Sequence, residues 1–423
     1  MIRFLFKGLL RDRSRSLLPV IVVALGVMIT VFMQAYMDGV LGESTEKTAS
    51  FSSGHLRVET KAYAENLALM PNDLALTDAN AIREHLEKNY PELNWTERID
   101  FGGLLDVPDE HGVTRIQGNI VGKGIRLLQR DDEVERMELE PLLVKGRFPA
   151  KEGEVLLSDE LFNRMNLQLN DPVTLISATM YGEMAIYNFR VVGTLHFGVN
   201  MLDKGMMIAD IEDVRSALNM EDAAGGILGF FKTNVYNDKE AKKMAETFND
   251  THTAVDDPFA PVMAVLSDDN LMGMSFTLMN NISNFIIVIF LIAMSIVLWN
   301  AGLISGLRRY GEFGLRLAIG ENKNEVYRSL LREALLIGLA GSLTGIIAGL
   351  FVSWLLQTYG LDASSMMKDS NMMISNVIRA RISPKTYYIG FIPGILATLI
   401  GAMLSGVGIY KRQTANLFKE LEN

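Results

Sequence analysis

The sequence predicts a membrane protein with four transmembrane α-helices and a large α+β extracytoplasmic domain between helices 1 and 2. Leu17 to Met37, Ile282 to Leu307, Ala334 to Leu361 and Tyr387 to Tyr410 contain no Asp, Glu, Lys or Arg. Each reaches the roughly 20 apolar residues that a bilayer crossing needs. Residues 38–281, between the first two runs, have ordinary globular composition and enough length for a domain or two.

Charge orients the four spans. Basic flanks stay cytoplasmic, and the amphipathic segment 1–16 holds Arg3, Lys7, Arg11, Arg13 and Arg15 against Asp12. Lys411 and Arg412 open the tail 411–423 directly after the fourth span. Segment 308–333 has Arg308, Arg309, Arg316, Lys323, Arg328 and Arg332 against Glu312, Glu321, Glu325 and Glu333. Both termini and segment 308–333 are therefore expected inside. Residues 38–307 carry 41 Asp and Glu against 22 Lys and Arg, a net −19, whereas the whole chain is −10. The acidic balance belongs to the exported part, and no nucleic-acid partner is expected. Loop 362–386 departs from the pattern, with Lys368, Arg379, Arg381 and Lys385 against Asp362 and Asp369. The other three regions outvote it.

A cleaved signal peptide is the rival reading of residues 1–40. Its apolar core would be about 7 to 15 residues followed by a small-residue cleavage site, whereas this run is longer and ends in QAYMDGVLGES, as an uncleaved anchor does. The chain has no cysteine, so the exported domain has no disulfides and the chain is not itself a lipid-modified lipoprotein.

Within the domain, HLRVET (55–60) alternates like a strand, and NAIREHLEKNY (80–90) places Ile82, Leu86 and Tyr90 on one helical side. Further strands are predicted in TRIQGNIV (114–121), VTLIS (173–177) and NFRVVGTLHF (188–197), and helices near Ser158 and Asp210, each an N-cap followed by acidic residues. Asn170, Asp171 and Pro172 supply turn chemistry between a helix and a strand. The five histidines, His55, His85, His111, His196 and His252, lack metal-ligand spacing and are expected to be solvated or structural. GNIVGKGI (118–125) has glycines before a lysine, but their spacing is too short for a phosphate loop and Gly124 stands where Ser or Thr would bind the metal. No catalytic, cofactor or metal site is predicted.

The spans contain no ionisable side chain of the kind an ion-driven carrier needs. Of their amide residues, Gln34, Asn300 and Gln357 sit near the ends, at headgroup level. Energy for transport must then come from outside the lipid. Gly341, Gly345 and Gly349, continued by Ser353, form a row of small residues on one helical face, and Gly390 and Gly394 begin another, continued by Gly401 and Ser405. Such rows permit close backbone approach, either within one chain or in a dimer. NLMGMSFTLMNN (270–281) extends the second span outward without charge, as a projecting rod or a polar helix end.

Segment 308–333 carries the most specific signal. GEFGLRLAIG predicts a helix from Tyr310 to Ile319, with Phe313, Leu317 and Ile319 facing the membrane or a partner and Gly320 as its C-terminal cap. A second helix starts after Asn322 or Asn324 and runs through Val326, Leu330, Glu333 and Ile337 into the third span. Such a pair either fixes topology only or docks a partner, and the glycine between two amphipathic helices suits docking better.

EFGLRLAIG followed by REALLIGLAGSLTGIIAG resembles the signature of FtsX-like/MacB-type ABC transporter permeases. The order of one helix, a large domain and three helices also matches, so the resemblance covers nearly the whole chain. It places an ATPase-coupling motif on Glu312, Phe313, Gly314, Arg316, Ala318 and Gly320, with Glu333 on the following helix. YKRQTANLFKEL resembles the family's C-terminal basic motif, although Gly311 and Phe418 depart from the basic residue and the proline common there. With no ATPase fused ahead of the first span, the layout is most similar to lipoprotein-releasing LolC/LolE-type permeases. GEVLLSDELFNRMNLQLNDPVTLIS and FRVVGTLHFG resemble their periplasmic domain.

The resemblance implies a multi-pass protein of the bacterial inner membrane with a periplasmic domain and no ATP site of its own. It further implies a separate ABC ATPase in two copies, a second permease, identical or paralogous, and a lipoprotein or other amphiphilic cargo moved by mechanotransmission. Peptide or drug efflux and control of cell-wall enzymes are the alternatives within the family. Outside it stand a membrane-tethered sensor and a periplasmic enzyme, the latter without a catalytic constellation to support it.

Overall fold

The computed structural model describes residues 13–109, 111–128, 132–252, 257–268, 273–307, 310–362 and 377–411. The chain divides into two compact units, one made of residues 1–41, 279–363 and 376–423, the other of residues 42–278 and 364–375. The basic residues Arg3, Lys7, Arg11, Arg308, Arg309 and Lys368 and the tail after Lys411 lie outside the described residues.

Helix α1, Arg13–Thr48, continues well past residue 37, and its last turn widens into a π-helical turn, Ala49–Ser53. The globular unit then runs β1 (Leu56–Thr60), α2 (Ala79–Asn89), β2 (Leu93–Pro108), β3 (Thr114–Ile125), β4 (Glu154–Ser158), α3 (Asp159–Arg164), β5 (Pro172–Ala178), β6 (Met184–Leu195), β7 (Met206–Asp210), α4 (Ile211–Leu218), β8 (Gly226–Phe231), α5 (Asp238–His252) and β9 (Pro261–Val265). The strands and helices expected from alternation and capping are present. Asp210 caps α4 by accepting from the Glu212 N–H at 3.1 Å, whereas the Ser158 side chain makes no cap bond to α3.

Strand pairing resolves two lobes. In the first, the spatial order is β9, β1, β8, β2, all antiparallel. With α2 after β1 and α5 after β8, this is the split βαβ arrangement. Period-two side chains Leu56 and Val58, Leu93 and Trp95, Met263 and Val265 meet Leu86 of α2 and Phe248 of α5 in its core. The second lobe is inserted between β2 and β8. There β2 pairs β3, β3 pairs β7, β7 pairs β4, β4 pairs β6, β6 pairs β5, and β5 returns to β2. The sheet closes on itself as a small barrel, which removes exposed edges. GNIVGKGI lies on β3, and its glycines make room: a Cβ at Gly122 would enter the Phe101 ring, and one at Gly124 would lie 3.0 Å from Val214.

The long strand β2 serves both lobes, pairing β8 through Leu93–Arg98 and β3 from Ile99 onward. Charge is buried at that changeover. Glu97, fully buried, accepts from Arg83 Nε at 2.9 Å and from Arg126 and Arg215 at 3.1 Å. Burial pushes the Glu97 carboxyl up, but Arg215, Arg126 and Arg83 together hold it below the usual carboxylate range. Arg98 meets Glu133 at 2.8 Å, and Lys123 pairs with Asp100. His55 is structural. Its Nδ1 accepts from the Phe231 N–H at 3.0 Å, which leaves Nε2 to donate to Glu46 at 2.8 Å.

The other unit holds α6 (Gly273–Leu307), α7 (Tyr310–Ala318), α8 (Lys323–Tyr359) and α9 (Thr398–Lys411) beside the first part of α1. Four stretches are long and apolar enough to cross a membrane: Leu17–Ser53, Asn281–Ile304, Lys323–Tyr359 and Pro384–Val407. The fourth is not the uniform α-helix expected over 387–410. It starts with a 3-10 turn, Pro384–Tyr387, and passes through a π-helical segment, Ile392–Ala397, before α9. Pro393 has no N–H to give an α-helical ladder.

Both glycine rows pack within this chain. A Cβ on Gly341, Gly345 or Gly349 would lie 2.7–2.8 Å from Cβ of Val23, Val27 or Val31 respectively, so α8 and α1 touch backbone to side chain at matching steps of four. The register runs in the same direction on both helices, which are parallel. Gly390 and Gly394 complete the cup around Val27, and Gly302 and Gly306 of α6 meet Gly401 and Ser405 of α9. At the end of the first apolar run, Asp38 accepts from Gln34 at 2.9 Å and from Ser383 at 2.6 Å, so Gln34 is buried and bonded. Gln357 accepts from the Ile382 N–H at 3.3 Å, and Asn300 is exposed.

Gly345→Leu is expected to cost about 1–3 kcal/mol by overpacking against Val27, lowering the melting midpoint of the detergent-solubilised protein, and Val27→Ala is expected to restore part of the loss. A second expectation concerns Asp213, whose carboxyl is pushed up to about 6 by burial, offset in part by the Gly153 N–H and reinforced by Asp210, Glu152 and Glu212. An acid with a raised folded pKa contributes stability below its unfolded value and loses it as pH rises through the folded one. Asp213→Asn should therefore flatten the fall in melting midpoint between pH 4 and pH 6 and gain about 1 kcal/mol at pH 7, after allowance for solvent screening.

Candidate functional site

The corner between α7 and α8 gathers most of the motif residues. Helix α7 is amphipathic, with Tyr310, Phe313 and Gly314 buried and Leu315 and Ile319 at 50% and 78% exposure. Phe313 does not face a membrane or partner as its spacing suggests. It packs with Tyr310, Val326, Leu330 and Ala402, and Leu317 lies partly buried against the same cluster. The Tyr310 hydroxyl donates to the Ser405 carbonyl at 2.6 Å, tying α7 to α9. The outward edge therefore consists of half-buried Glu312 with Leu315, Ala318 and Ile319.

The chain leaves α7 through a Schellman motif. The Gly320 N–H donates to the Leu317 carbonyl and the Glu321 N–H to the Arg316 carbonyl, both at 3.1 Å. Gly320 has φ +98°, a left-handed conformation that glycine adopts without Cβ strain. Arg316 reaches across this turn. Its Nε and one terminal nitrogen donate to the two Glu321 oxygens at 2.6 and 2.5 Å, and its other terminal nitrogen lies 3.4 Å from Ser329 Oγ on α8. The Arg316 bond holds the Glu321 carboxyl below its usual range. A planar guanidinium forked onto a carboxylate fixes direction as well as distance.

Helix α8 starts at Lys323 after Asn322 and runs unbroken to Tyr359. Its opening turns also meet α9, where the Tyr410 hydroxyl donates to Asn324 at 2.5 Å and the Tyr327 and Tyr410 rings stand edge-to-face at 5.6 Å. Glu333 lies about 15 Å down α8 from its first residue, next to Ala334, which packs against the Phe313 cluster. It lines a cavity of ≈ 40 Å³ with Pro19, Val23, Gly302, Ile337 and Thr398.

The structure thus brings together Glu312, Phe313, Gly314, Arg316, Ala318 and Gly320 on α7 and its cap, has Glu333 at the edge of the cluster that Phe313 packs on, and uses the packing glycines between spans. Sequence reasoning missed Tyr310, Glu321 and Ser329 as working parts of the corner. The signal was an Arg–Glu pair straddling a helix-ending glycine, which brings residues five apart into reach. Among the described residues no group of three His, Asp or Glu side chains could hold a metal ion. The arrangement makes no bond and breaks none. It is a packed joint with one apolar edge outward.

Residues 284–414 match the family described as FtsX-like permease C-terminal. A probable export ATP-binding/permease protein MacB of Pseudomonas entomophila (strain L48) is 21% identical over 354 residues, covering 80% of this chain and 49% of that protein. A macrolide export ATP-binding/permease protein MacB 1/2 of Paracoccus denitrificans (strain Pd 1222) is 30% identical over 122 residues, or 29% of this chain and 17% of that protein. The chain spans about half the length, or less, of these curated relatives. Among solved structures, the periplasmic region of MacB from Actinobacillus actinomycetemcomitans aligns with 50% of this chain and 87% of that one, at 15% identity and a TM-score of 0.33. With the apolar helices, the inserted α+β domain and a C-terminal region that matches the FtsX-like permease model in one chain, the protein is similar to the FtsX/MacB-type ABC transporter permeases.

Proposed function

We propose that this chain is the membrane subunit through which a separate ATPase drives its globular domain. One observation carries the reading: α7 turns an apolar edge outward while Phe313, packed on Val326 and Leu330, and the Arg316 contact to Ser329 tie it to a helix that runs unbroken through a span. A load placed on Leu315 and Ile319 passes into α8 without a flexible joint. Because α1 and α8 run parallel, the α7 corner lies at the same end of the bundle as the start of α1, and on this reading the basic flanks make that end cytoplasmic. Two ATPase copies would serve two permeases, the second identical or paralogous.

The cargo reading is release of a lipoprotein or similar amphiphile at the outer face of the inner membrane. The spans carry no charged residue along their apolar runs, so no polar route crosses the midplane. A second reading, efflux, is favoured by the relative described as a macrolide export protein. Deletion of the gene distinguishes the two: defective lipoprotein sorting with unchanged macrolide sensitivity supports release, and the opposite pair supports efflux.

Ile319→Asp, at an exposed position, is expected to lower ATPase co-purification at least tenfold while leaving the melting midpoint of the chain unchanged. Gly320→Pro is expected to lower association as well, by forcing φ to about −65° and removing the N–H that bonds to Leu317, at the cost of a lower melting midpoint. Unchanged association in both variants would overturn the docking assignment. Because the chain has no cysteine, Ile319→Cys gives a single thiol. It is expected to resist a membrane-impermeant maleimide in intact spheroplasts and to react in inverted vesicles. Labelling in spheroplasts would place the corner on the wrong side.

A further inference from the structure

The basic residues of loop 362–386 run against the charge pattern that orients the rest of the chain. Three of them, Arg379, Arg381 and Lys385, stand at the end of the bundle opposite the α7 corner, on the segment that leads into the fourth span. The backbone there is clamped to two helix ends. The Arg381 N–H donates to the Ala35 carbonyl of α1 at 2.9 Å, and the Ile382 N–H to Gln357 of α8 at 3.3 Å. Gly39 of α1 leaves room for the Arg379 carbonyl, which a Cβ would strike. A capped 3-10 turn, Pro384–Tyr387, then fixes Lys385, with Thr386 fully buried. Three cations are thus held where the apolar runs of α1 and α8 stop, which is headgroup level.

Their charge is not spent within the chain. Among the described residues the side chains of Arg379, Arg381 and Lys385 make no ion pair or hydrogen bond, and Arg379 and Lys385 are exposed. Asp38, the acid beside them, already accepts from Gln34 and Ser383. Tyr359, Tyr387 and Tyr388 stand at the same end, 76%, 57% and 55% exposed. Tyrosine settles at a membrane interface, its ring against hydrocarbon and its hydroxyl in water. Next to them Trp354 of α8 and Ile392 of the fourth span are exposed, an apolar surface that acyl chains can cover.

We infer that this end of the bundle binds anionic phospholipid, with phosphates at Arg379, Arg381 and Lys385 and acyl chains along α8 and the fourth span. A zwitterionic lipid brings its own ammonium to the same three cations and is held less well. A free phosphate has no chains for the surface below the tyrosines. The inference requires only that the apolar helices span a bilayer, so it stands apart from the ATPase reading. On the orientation proposed above, the lipid held belongs to the outer leaflet.

The test uses the full chain in phosphatidylcholine nanodiscs. These are doped at equal mole fraction with phosphatidylglycerol or phosphatidylcholine bearing the same diazirine near the top of one acyl chain, and labelled peptides are mapped by mass spectrometry. Label on peptides covering residues 377–396 is expected to be roughly tenfold higher from phosphatidylglycerol and to fall severalfold at high salt. With Arg379→Gln, Arg381→Gln and Lys385→Gln combined, the two probes are expected to label these peptides equally. Labelling at the start of α1 should keep its preference, and the melting midpoint in phosphatidylcholine should not change. Arg379→Lys with Arg381→Lys keeps the charge and is expected to keep the preference. Equal labelling of the unaltered chain by the two probes, or a preference that survives the triple variant, would overturn the inference. Suppression of the label by inorganic phosphate, beyond that by chloride at equal ionic strength, would assign the patch to a free anion and overturn the lipid. Should the triple variant fail to fold, the probe ratio and its salt dependence in the unaltered chain decide alone.

Discussion

Hydrocarbon offers neither a hydrogen-bond partner nor a counter-ion, and the rest of this molecule is arranged around that constraint. The spans can meet only by shape. Val23, Val27 and Val31 fall on the same fourfold step as Gly341, Gly345 and Gly349, and the missing glycine Cβ atoms let the two backbones close on each valine. Without a hydrophobic drive between helices in lipid, this contact and the similar one between α6 and α9 are what packing has to offer. Every polar device therefore sits at an end of the bundle. At one end is the Asp38 knot with Gln34 and Ser383, and at the other the Arg316–Glu321 corner.

Those two ends differ in kind. The Asp38 knot ties α1 to the segment before the fourth span, and the Arg381 N–H adds a bond to the Ala35 carbonyl at 2.9 Å. It closes the bundle without presenting an apolar surface. The corner closes the bundle too, through Tyr310, Phe313 and Leu330, but leaves Leu315 and Ile319 outside. A helix that spent all its apolar residues on its own core would be a cap. This helix keeps two exposed beside a forked ion pair.

Much of this was legible in the sequence because membranes impose coarse rules. Uncharged runs of sufficient length marked the spans, and the glycine after an amphipathic helix marked the corner. The direction of Phe313 was not legible: helical periodicity gives an apolar face but not which neighbour covers it, and Leu315 and Phe313 differ only in what α8 and α9 place beside them. The π-helical segment inside the fourth span was not legible, since hydropathy does not register that Pro393 removes an N–H. In the globular unit the alternation located single strands but not the closure of six of them into a barrel, because closure depends on pairing between β2 and β5, far apart in sequence. The ion pairs of Glu97 were equally hidden, with partners at 83, 126 and 215.

That buried charge bears on what the globular unit can do. Two lobes strung on one strand would ordinarily hinge at the changeover, and a hinge would open and shut the cleft between them. Here the changeover is where Glu97 draws three guanidiniums together, from α2, from the end of β3 and from α4. Burying such a group costs desolvation, and the cost is tolerable only while the partners stay in place. Separating them would strand unpaired charge at about 3–5 kcal/mol for a broken buried pair. The lobes are thus held at a fixed angle by their own buried charge.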